Sequence, residues 1–253
     1  MITSITRSKR IKPVFIILFW VLVWEGLCLL INREIYLPSP ATTFDSLKEL
    51  VTQWESWVAI TWSVYRTLIA IISSLVLGIG LGIICGLFRF AYDLFNPVII
   101  VLRSTPIVSI IIIAIIWFTS SNVPIFAGFL MCFPVIFTST VGGIRNTDRK
   151  LLEMCQVYRV PRHRVVKSVY LPSSLPHINA GMVSSLGIAW KATAAAEVLS
   201  MPRYSIGSHL FYAKTHLDPA SLFAWTIIII IISYIFEFIY VRVSGYDKTG
   251  KHM

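Results

Sequence analysis

The sequence predicts an all-α polytopic membrane protein, and three observations carry that expectation. First, 56% of the 253 residues are hydrophobic and only 13% are charged, whereas ordinary globular domains carry about 25% charged residues. Second, six apolar runs are each long enough, at roughly 20 residues, to cross a bilayer as a helix. They are 14–31, 67–88, 98–118, 124–144, 176–199 and 222–241. Third, the positive charge is lopsided. With the N-terminus inside and the runs alternating, fifteen of the 22 Lys and Arg fall in inner segments and five in outer ones. Arg103 and Lys191 lie within runs. That bias orients a membrane protein with both termini in the cytoplasm.

The first run follows Arg7, Lys9, Arg10 and Lys12. It is longer than a signal-peptide core and no small-residue cleavage site follows, so it reads as a retained span. The outer segment 32–65 begins with Leu37-Pro38-Ser39-Pro40. Thr42 or Thr43 is placed to cap a short interfacial helix over 42–57. Phe44, Leu47, Leu50, Val51 and Trp54 form its apolar stripe, and Trp54, Trp57 and Trp62 suit the aromatic belt.

In the second run Gly78, Gly82 and Gly86 recur every four residues. On a helix they make one small-residue groove that admits a close neighbour. Within the runs, Glu25, Arg103, Lys191 and Glu197 would each cost about 2.5–3.5 kcal/mol near a helix centre. They are expected to face protein, water or the interface. Arg103 is near enough to a run end to snorkel, and Glu197 near enough to the outer end to be almost solvated. Lys191 is the deepest, and either a buried pairing, for example with Glu25, or a cavity for an anion accounts for it.

The inner insert 148–176 is basic and amphipathic. Leu151, Leu152, Cys155 and Tyr158 fall at helical spacing. Val160 precedes Pro161, which disfavours continuing that helix. Pro161 suits the first turn of a second helix with Val165, Val166 and Val169 on its apolar face. Leu171-Pro172 and Leu175-Pro176 close the insert. A docking surface and a plain orientation loop both fit this pattern. The second outer segment, 200–221, is rich in turn residues and aromatics.

Several classes are excluded. The basic residues are spread over membrane-flanking loops, so nucleic acid is not an expected partner. The four cysteines suit no extracytoplasmic disulfide, and the His and Cys positions form no metal-ligand pattern. Gly245–Lys251 approximates a phosphate-binding loop, but His252 stands where Ser or Thr is needed. Neither HExxH nor GxSxG occurs. The chain is therefore not expected to be an enzyme.

The insert resembles the coupling loop of ABC importer permeases, the binding-protein-dependent inner-membrane components. Their motif is Glu-Ala-Ala, three residues, Gly, nine residues, Ile-x-Leu-Pro. Here Glu153-Met154-Cys155, Arg159 and Val169-Tyr170-Leu171-Pro172 stand at that spacing. Trp24-Glu25, Leu37-Pro38-Ser39-Pro40, Leu102-Arg103-x-x-Pro106, Trp117-Phe118, Ala189-Trp190 and Ala196-Glu197 resemble the nitrate/sulfonate/taurine branch. Arg159 replaces the family glycine, which supports a tight turn with free backbone choice. Thr119 ends the family Trp-Phe-Gly, and Tyr204-Ser205-Ile206-Gly207 stands at the usual Gly-Leu-Gly.

The resemblance implies a single transmembrane permease domain over 1–253, of the type I ABC importer kind, with a coupling loop over 145–175. It implies a second permease copy or homologue, two cytoplasmic ATP-binding subunits and an extracytoplasmic substrate-binding protein, in the prokaryotic plasma membrane. No cofactor is expected on this chain; ATP and Mg would belong to the ATPase. Glu153, Met154, Cys155, Arg159, Leu171 and Pro172 would couple to it. Arg103, Lys191 and Glu197 are candidates for the solute path, and Gly78, Gly82 and Gly86 for helix packing. The solute would be a small organic anion such as a sulfonate. An ion-gradient carrier or channel and a non-transporting membrane scaffold are the alternatives.

Overall fold

The computed structural model describes residues 3–245, with side chains from residue 15 onward. Lys248 and Lys251, and the near phosphate-loop match beyond Gly245, lie outside the described residues, as do the side chains of Arg7, Lys9, Arg10 and Lys12. The described residues are helical throughout and hold no strand. They divide into two compact units, one of Met1–Trp57 with His209–Ile228 and one of Val58–Ser208 with Ile229–Met253.

The chain begins with α1 (Thr3–Ile31) and α2 (Pro40–Thr52). The cap of α2 is Ser39, one turn earlier than the threonines expected from sequence: its Oγ accepts from the Thr42 N–H at 3.1 Å. Pro40 then occupies the first turn, where its missing N–H costs nothing. The Leu37–Pro40 stretch is tied to α1 from two sides. Trp24 Nε1 donates to the Pro38 carbonyl at 3.1 Å and Cys28 Sγ donates to the Leu37 carbonyl at 3.4 Å. A rigid proline entry is thus tied to α1.

The helix expected over 42–57 ends early, at Thr52. After Gln53 a second helix, α3 (Trp54–Leu87), starts at once and runs 34 residues. Trp54, Trp57 and Trp62 therefore lie on α3 and not on the interfacial helix. Periodicity alone merges the two because the apolar stripe continues across the single break residue.

The run 98–118 is not one straight helix. It is divided between α4 (Arg89–Ser104) and α5 (Ile107–Trp117), bent by 101° at Thr105-Pro106. Pro106 disfavours the helical region for Thr105, which sits at ψ 128°. An even apolar composition hides that break. Next comes α6 (Val123–Arg145), the most buried helix. Its residues enter three apolar clusters. Cys132 and Ile136 meet Ile71, Met182, Leu186 and Ala189. Phe133, Phe137 and Val141 meet Cys85 and Ile99. Val123 and Ala127 meet Ile111, Ala114 and Ala196.

The glycine stripe of α3 lies against α6. A Cβ on Gly78, Gly82 or Gly86 would stand 2.8, 2.6 or 2.7 Å from Ile136, Thr140 or Ile144. Both rows repeat every four residues, so the two helices meet along one line.

Beyond α6 come α7 (Arg149–Val157) and α8 (Arg162–Val165). A π turn, Val166–Tyr170, leads straight into α9 (Leu171–Ser200). Leu171-Pro172 and Leu175-Pro176 consequently do not close the insert: its second helix is continuous with the fifth run. Pro172 offers no N–H to the Ser168 carbonyl, and the backbone widens there instead of breaking. Two helices complete the fold, α10 (Ile206–Thr215) and α11 (Pro219–Ser244).

Among the described residues, α3, α6 and α11 are long and apolar enough to cross a membrane, and the bent α4–α5 pair would make a fourth crossing. Large side chains such as Ile72, Val76, Ile116, Ile230 and Phe238 are exposed on these helices. Apolar surface of that extent matches hydrocarbon in place of water.

Candidate functional site: an exposed connector and a buried ion pair

The connector between α6 and α9 is built for exposure. Asp148 Oδ1 caps α7 by accepting from the Lys150 N–H at 2.9 Å. Arg149 Nε reaches Glu153 Oε1 at 3.4 Å one turn along. At the far end the Val160 N–H donates to the Cys155 carbonyl at 2.9 Å, and the Arg159 N–H to the Gln156 carbonyl at 3.1 Å. Those two bonds form a Schellman closure, which needs a left-handed residue between them. Arg159 supplies it at φ 50°. The turn expected of a glycine is therefore kept by an arginine, at the steric cost of a Cβ in that region.

The six sequence-nominated connector residues separate. Glu153, Met154 and Arg159 face outward, Met154 being half exposed. Cys155 points in and is 7% exposed, so it anchors α7 to the protein and is closed to a partner. Leu171 is half-buried at the start of α9 and Pro172 is exposed. Val157 and Tyr158 are 78% and 75% exposed, and with Leu151 and Met154 they leave an apolar ridge on α7 uncovered. Arg162, His163, Arg164 and Lys167 follow it in sequence as exposed basic side chains. An apolar ridge with a charged rim has the composition of a protein-docking surface.

The second feature was hidden from sequence. Glu197 is 1% exposed, contrary to the near-solvated position expected, and it pairs with Arg66, which is 3% exposed. Arg66 counts as an outer-loop cation in the charge tally, yet it sits inside α3. Its Nη1 donates to Glu197 Oε1 at 3.0 Å and to the Tyr204 carbonyl at 2.8 Å. Nε and Nη2 donate to Ser121 Oγ at 3.3 and 3.2 Å. Ser63 Oγ donates to the Glu197 carboxylate at 2.8 Å and accepts from the Ile206 N–H at 2.9 Å. The Gly207 N–H donates to Oε2 at 3.1 Å. A Cβ at Gly207 would lie 2.6 Å from the Val198 nitrogen, so the approach requires glycine.

The network binds α3, the α5–α6 turn, α9 and the start of α10 into one rigid corner. Both carboxylate oxygens of Glu197 are already engaged, which leaves it a positioning residue in this arrangement. The sequence signal for it is Ser63-x-x-Arg66-Thr67, three polar residues on one face of an otherwise apolar helix. Reading α3 as beginning at Trp54 exposes that pattern.

Arg103 and Lys191 are exposed on the chain, and neither shares the Glu197 network. The buried pairing open to Lys191 on sequence is therefore not realised. Among the described residues no group of His, Cys, Asp and Glu is arranged to hold a metal ion.

The unit of Met1–Trp57 with His209–Ile228 holds a cleft of about 300 Å³ lined by Ser46, Glu49, Gln53, His209, Tyr212, His216, Asp218, Ser221 and Trp225. His209 stacks on Trp225 at 4.7 Å. Its burial lowers the imidazole pKa below the ordinary value, and Glu55 opposes that shift.

Comparison with known proteins covers most of the chain. Residues 78–244 match the binding-protein-dependent transport system inner membrane component family. The chain is similar to the "Putative aliphatic sulfonates transport permease protein SsuC" of Bacillus subtilis, 29% identical over 197 residues, 78% of this chain and 71% of that one. It is similar to the taurine transport system permease protein TauC of Escherichia coli, 25% identical over 223 residues, 85% and 80% of the two chains. The nitrate import permease protein NrtB of a Synechocystis species is 26% identical over 209 residues, 78% and 75%. The crystal structure of an amino acid ABC transporter with histidines superposes with TM-score 0.59 at 12% identity, covering 76% of this chain and 91% of that one, a likeness of fold.

Proposed function

Since the chain belongs to the binding-protein-dependent transport system inner membrane component family, within its nitrate/sulfonate/taurine branch, we propose that it forms half of the solute path of an ATP-driven importer. A second copy or a homologous permease would complete the path. Two cytoplasmic ATP-binding subunits would dock on the connector, and an external binding protein would deliver the solute. ATP and Mg would be held by those subunits, and hydrolysis would be their chemistry. The six runs read from the sequence would cross the inner membrane with both termini inside.

The observation that carries this reading is the uncovered ridge of Leu151, Met154, Val157 and Tyr158 on a helix closed by two hydrogen bonds at its end. Such a helix is a rigid lever. When ATP closes the ATPase pair, a lever seated in each subunit moves with it, and continuity of α8, the π turn and α9 carries the motion into the membrane. Alternating access follows from that linkage.

The solute is proposed to be a small organic anion such as a sulfonate. The named relatives handle aliphatic sulfonates, taurine and nitrate, all of which carry an anionic group. Arg103 and Lys191, exposed on the chain, are the cations available to a path completed by a second permease.

The test is Glu153→Arg. It puts a third cation beside Arg149 and Lys150 at the ridge edge, and substrate-stimulated hydrolysis and retention of the ATPase should both be lost. Full coupling in that variant would refute the docking role of the connector.

A further inference from the structure

A cleft of about 390 Å³ opens where α3 and α6 end and α4 begins. It is lined by Gly86, Leu87, Arg89, Tyr92, Asp93 and Arg145. None of the solute-path candidates lines it, and of the coupling loop only Arg145, its first residue, reaches it. Its charges are two guanidinium groups and one carboxylate. Arg145 is held in place: its guanidinium carbon lies 3.7 Å over the Tyr92 ring, and Nη2 donates to the Cys85 carbonyl at 3.5 Å. A guanidinium has five N–H donors, so most of those on Arg145 stay available. Among the described residues Arg89 and Asp93 have no ion-pair partner.

The surroundings are apolar. Ile84, Phe88, Phe90 and Leu94 lie beside the cleft in sequence and are exposed, Phe90 at 82%. A polar cleft with surplus positive charge beside side chains suited to hydrocarbon has two chemistries in one place. We propose that this cleft binds the headgroup of an anionic phospholipid, phosphatidylglycerol in type. The phosphodiester lies between Arg89 and Arg145, the glycerol hydroxyls donate to Asp93, and the acyl chains follow Ile84, Phe88 and Leu94. The net charge of the three groups, one positive, matches the single negative charge of that headgroup. Basic pockets between membrane helices bind phosphate headgroups by this logic, and guanidinium meets phosphate through paired hydrogen bonds. The site does not depend on the proposed function. The proposed orientation decides only the leaflet, which is the inner one if the termini are cytoplasmic.

The experiment is native mass spectrometry of the full chain, purified with its ATPase subunits and stripped of lipid, then titrated with phosphatidylglycerol or with phosphatidylcholine of the same acyl chains. Phosphatidylglycerol should be retained about tenfold more strongly, and Arg89→Gln or Arg145→Gln should remove that preference. Arg89→Lys, which keeps the charge and loses the fork, should fall between. Asp93→Asn should shift preference toward phosphatidic acid, which lacks the glycerol hydroxyls. Equal retention of the two lipids, or a preference untouched in both arginine variants, overturns the proposal. Displacement of phosphatidylglycerol by millimolar inorganic phosphate also overturns it, because the site would then hold a free anion. Absence of any associated ATPase, with the lipid preference intact, would count against the importer reading alone.

Discussion

Two Arg–Glu pairs in this chain have the same chemistry and opposite circumstances. Arg149 and Glu153 lie on the connector with side chains 92% and 64% exposed, 3.4 Å apart. Arg66 and Glu197 lie between helices with side chains 4% and 1% exposed, 3.0 Å apart. In water the first pair gains little, because solvent screens it and two long side chains must be held still. Without water the second pair must satisfy every donor and acceptor, and it does so through Ser63, Ser121, Tyr204 and Gly207. The exposed pair is free to change partners when another protein arrives. The buried pair is not, and what it provides is a fixed corner.

The sharpest way to break this contrast is to remove one buried partner. Glu197→Leu strands Arg66 and should cost about 3–5 kcal/mol, read as a large loss of folded protein in membranes and a lower midpoint of thermal unfolding in detergent. Adding Arg66→Met should recover much of that loss. A double variant as unstable as the single one would mean that the network holds the corner through its serines and backbone, not through the ion pair.

Gly82→Leu tests the same bundle through packing alone. Its side chain would enter space held by Thr140, whose Cβ is 2.6 Å from a Cβ at that position. A cost of about 1–3 kcal/mol is expected, seen as reduced yield of intact, folded protein. An unchanged yield would show that α3 and α6 separate easily.

Arg159→Gly should be slightly stabilising, by about 1 kcal/mol or less. It removes the steric cost at φ 50°, and the greater freedom of glycine in the unfolded chain offsets part of that gain. Thermal unfolding should shift upward by a small amount with ATPase binding retained. A drop would mean that the Arg159 side chain, and not its backbone, holds the turn.

The smallest effect belongs to His209 on α10. Its native pKa is lowered, so the unfolded chain takes up the proton more readily. Stability is therefore intact above the ordinary histidine value of about 6.5 and declines as pH falls through it. His209→Gln should flatten that decline between about pH 7 and 5 in a thermal-unfolding series. A wild-type midpoint that does not move over that range would remove the effect.

How much of this was legible in the residues depends on distance along the chain. The two helices of the connector and the break between them follow from spacing and from Pro161, all within about twenty residues. The glycine stripe likewise declares its face through a period of four. What local pattern misjudged were continuity and burial. Pro106 broke an apolar run that looked whole, while Pro172 and Pro176 failed to break one that looked divided. A proline's effect depends on whether neighbouring helices and a widened turn take up its missing bond.

By itself, then, the amino-acid order determined an all-α membrane protein, its connector of two short helices and its family likeness. Apolar run length, helical period and short motifs are properties of neighbours in the chain. Only the tertiary structure decided that Cys155 faces inward, that Arg159 keeps the turn of a glycine, and that Arg66 and Glu197 meet. The last pair is separated by 131 positions, and no local period encodes which of the chain's charges will find each other. That choice is made when α3 and α9 pack and desolvation leaves every unmatched charge too costly to keep.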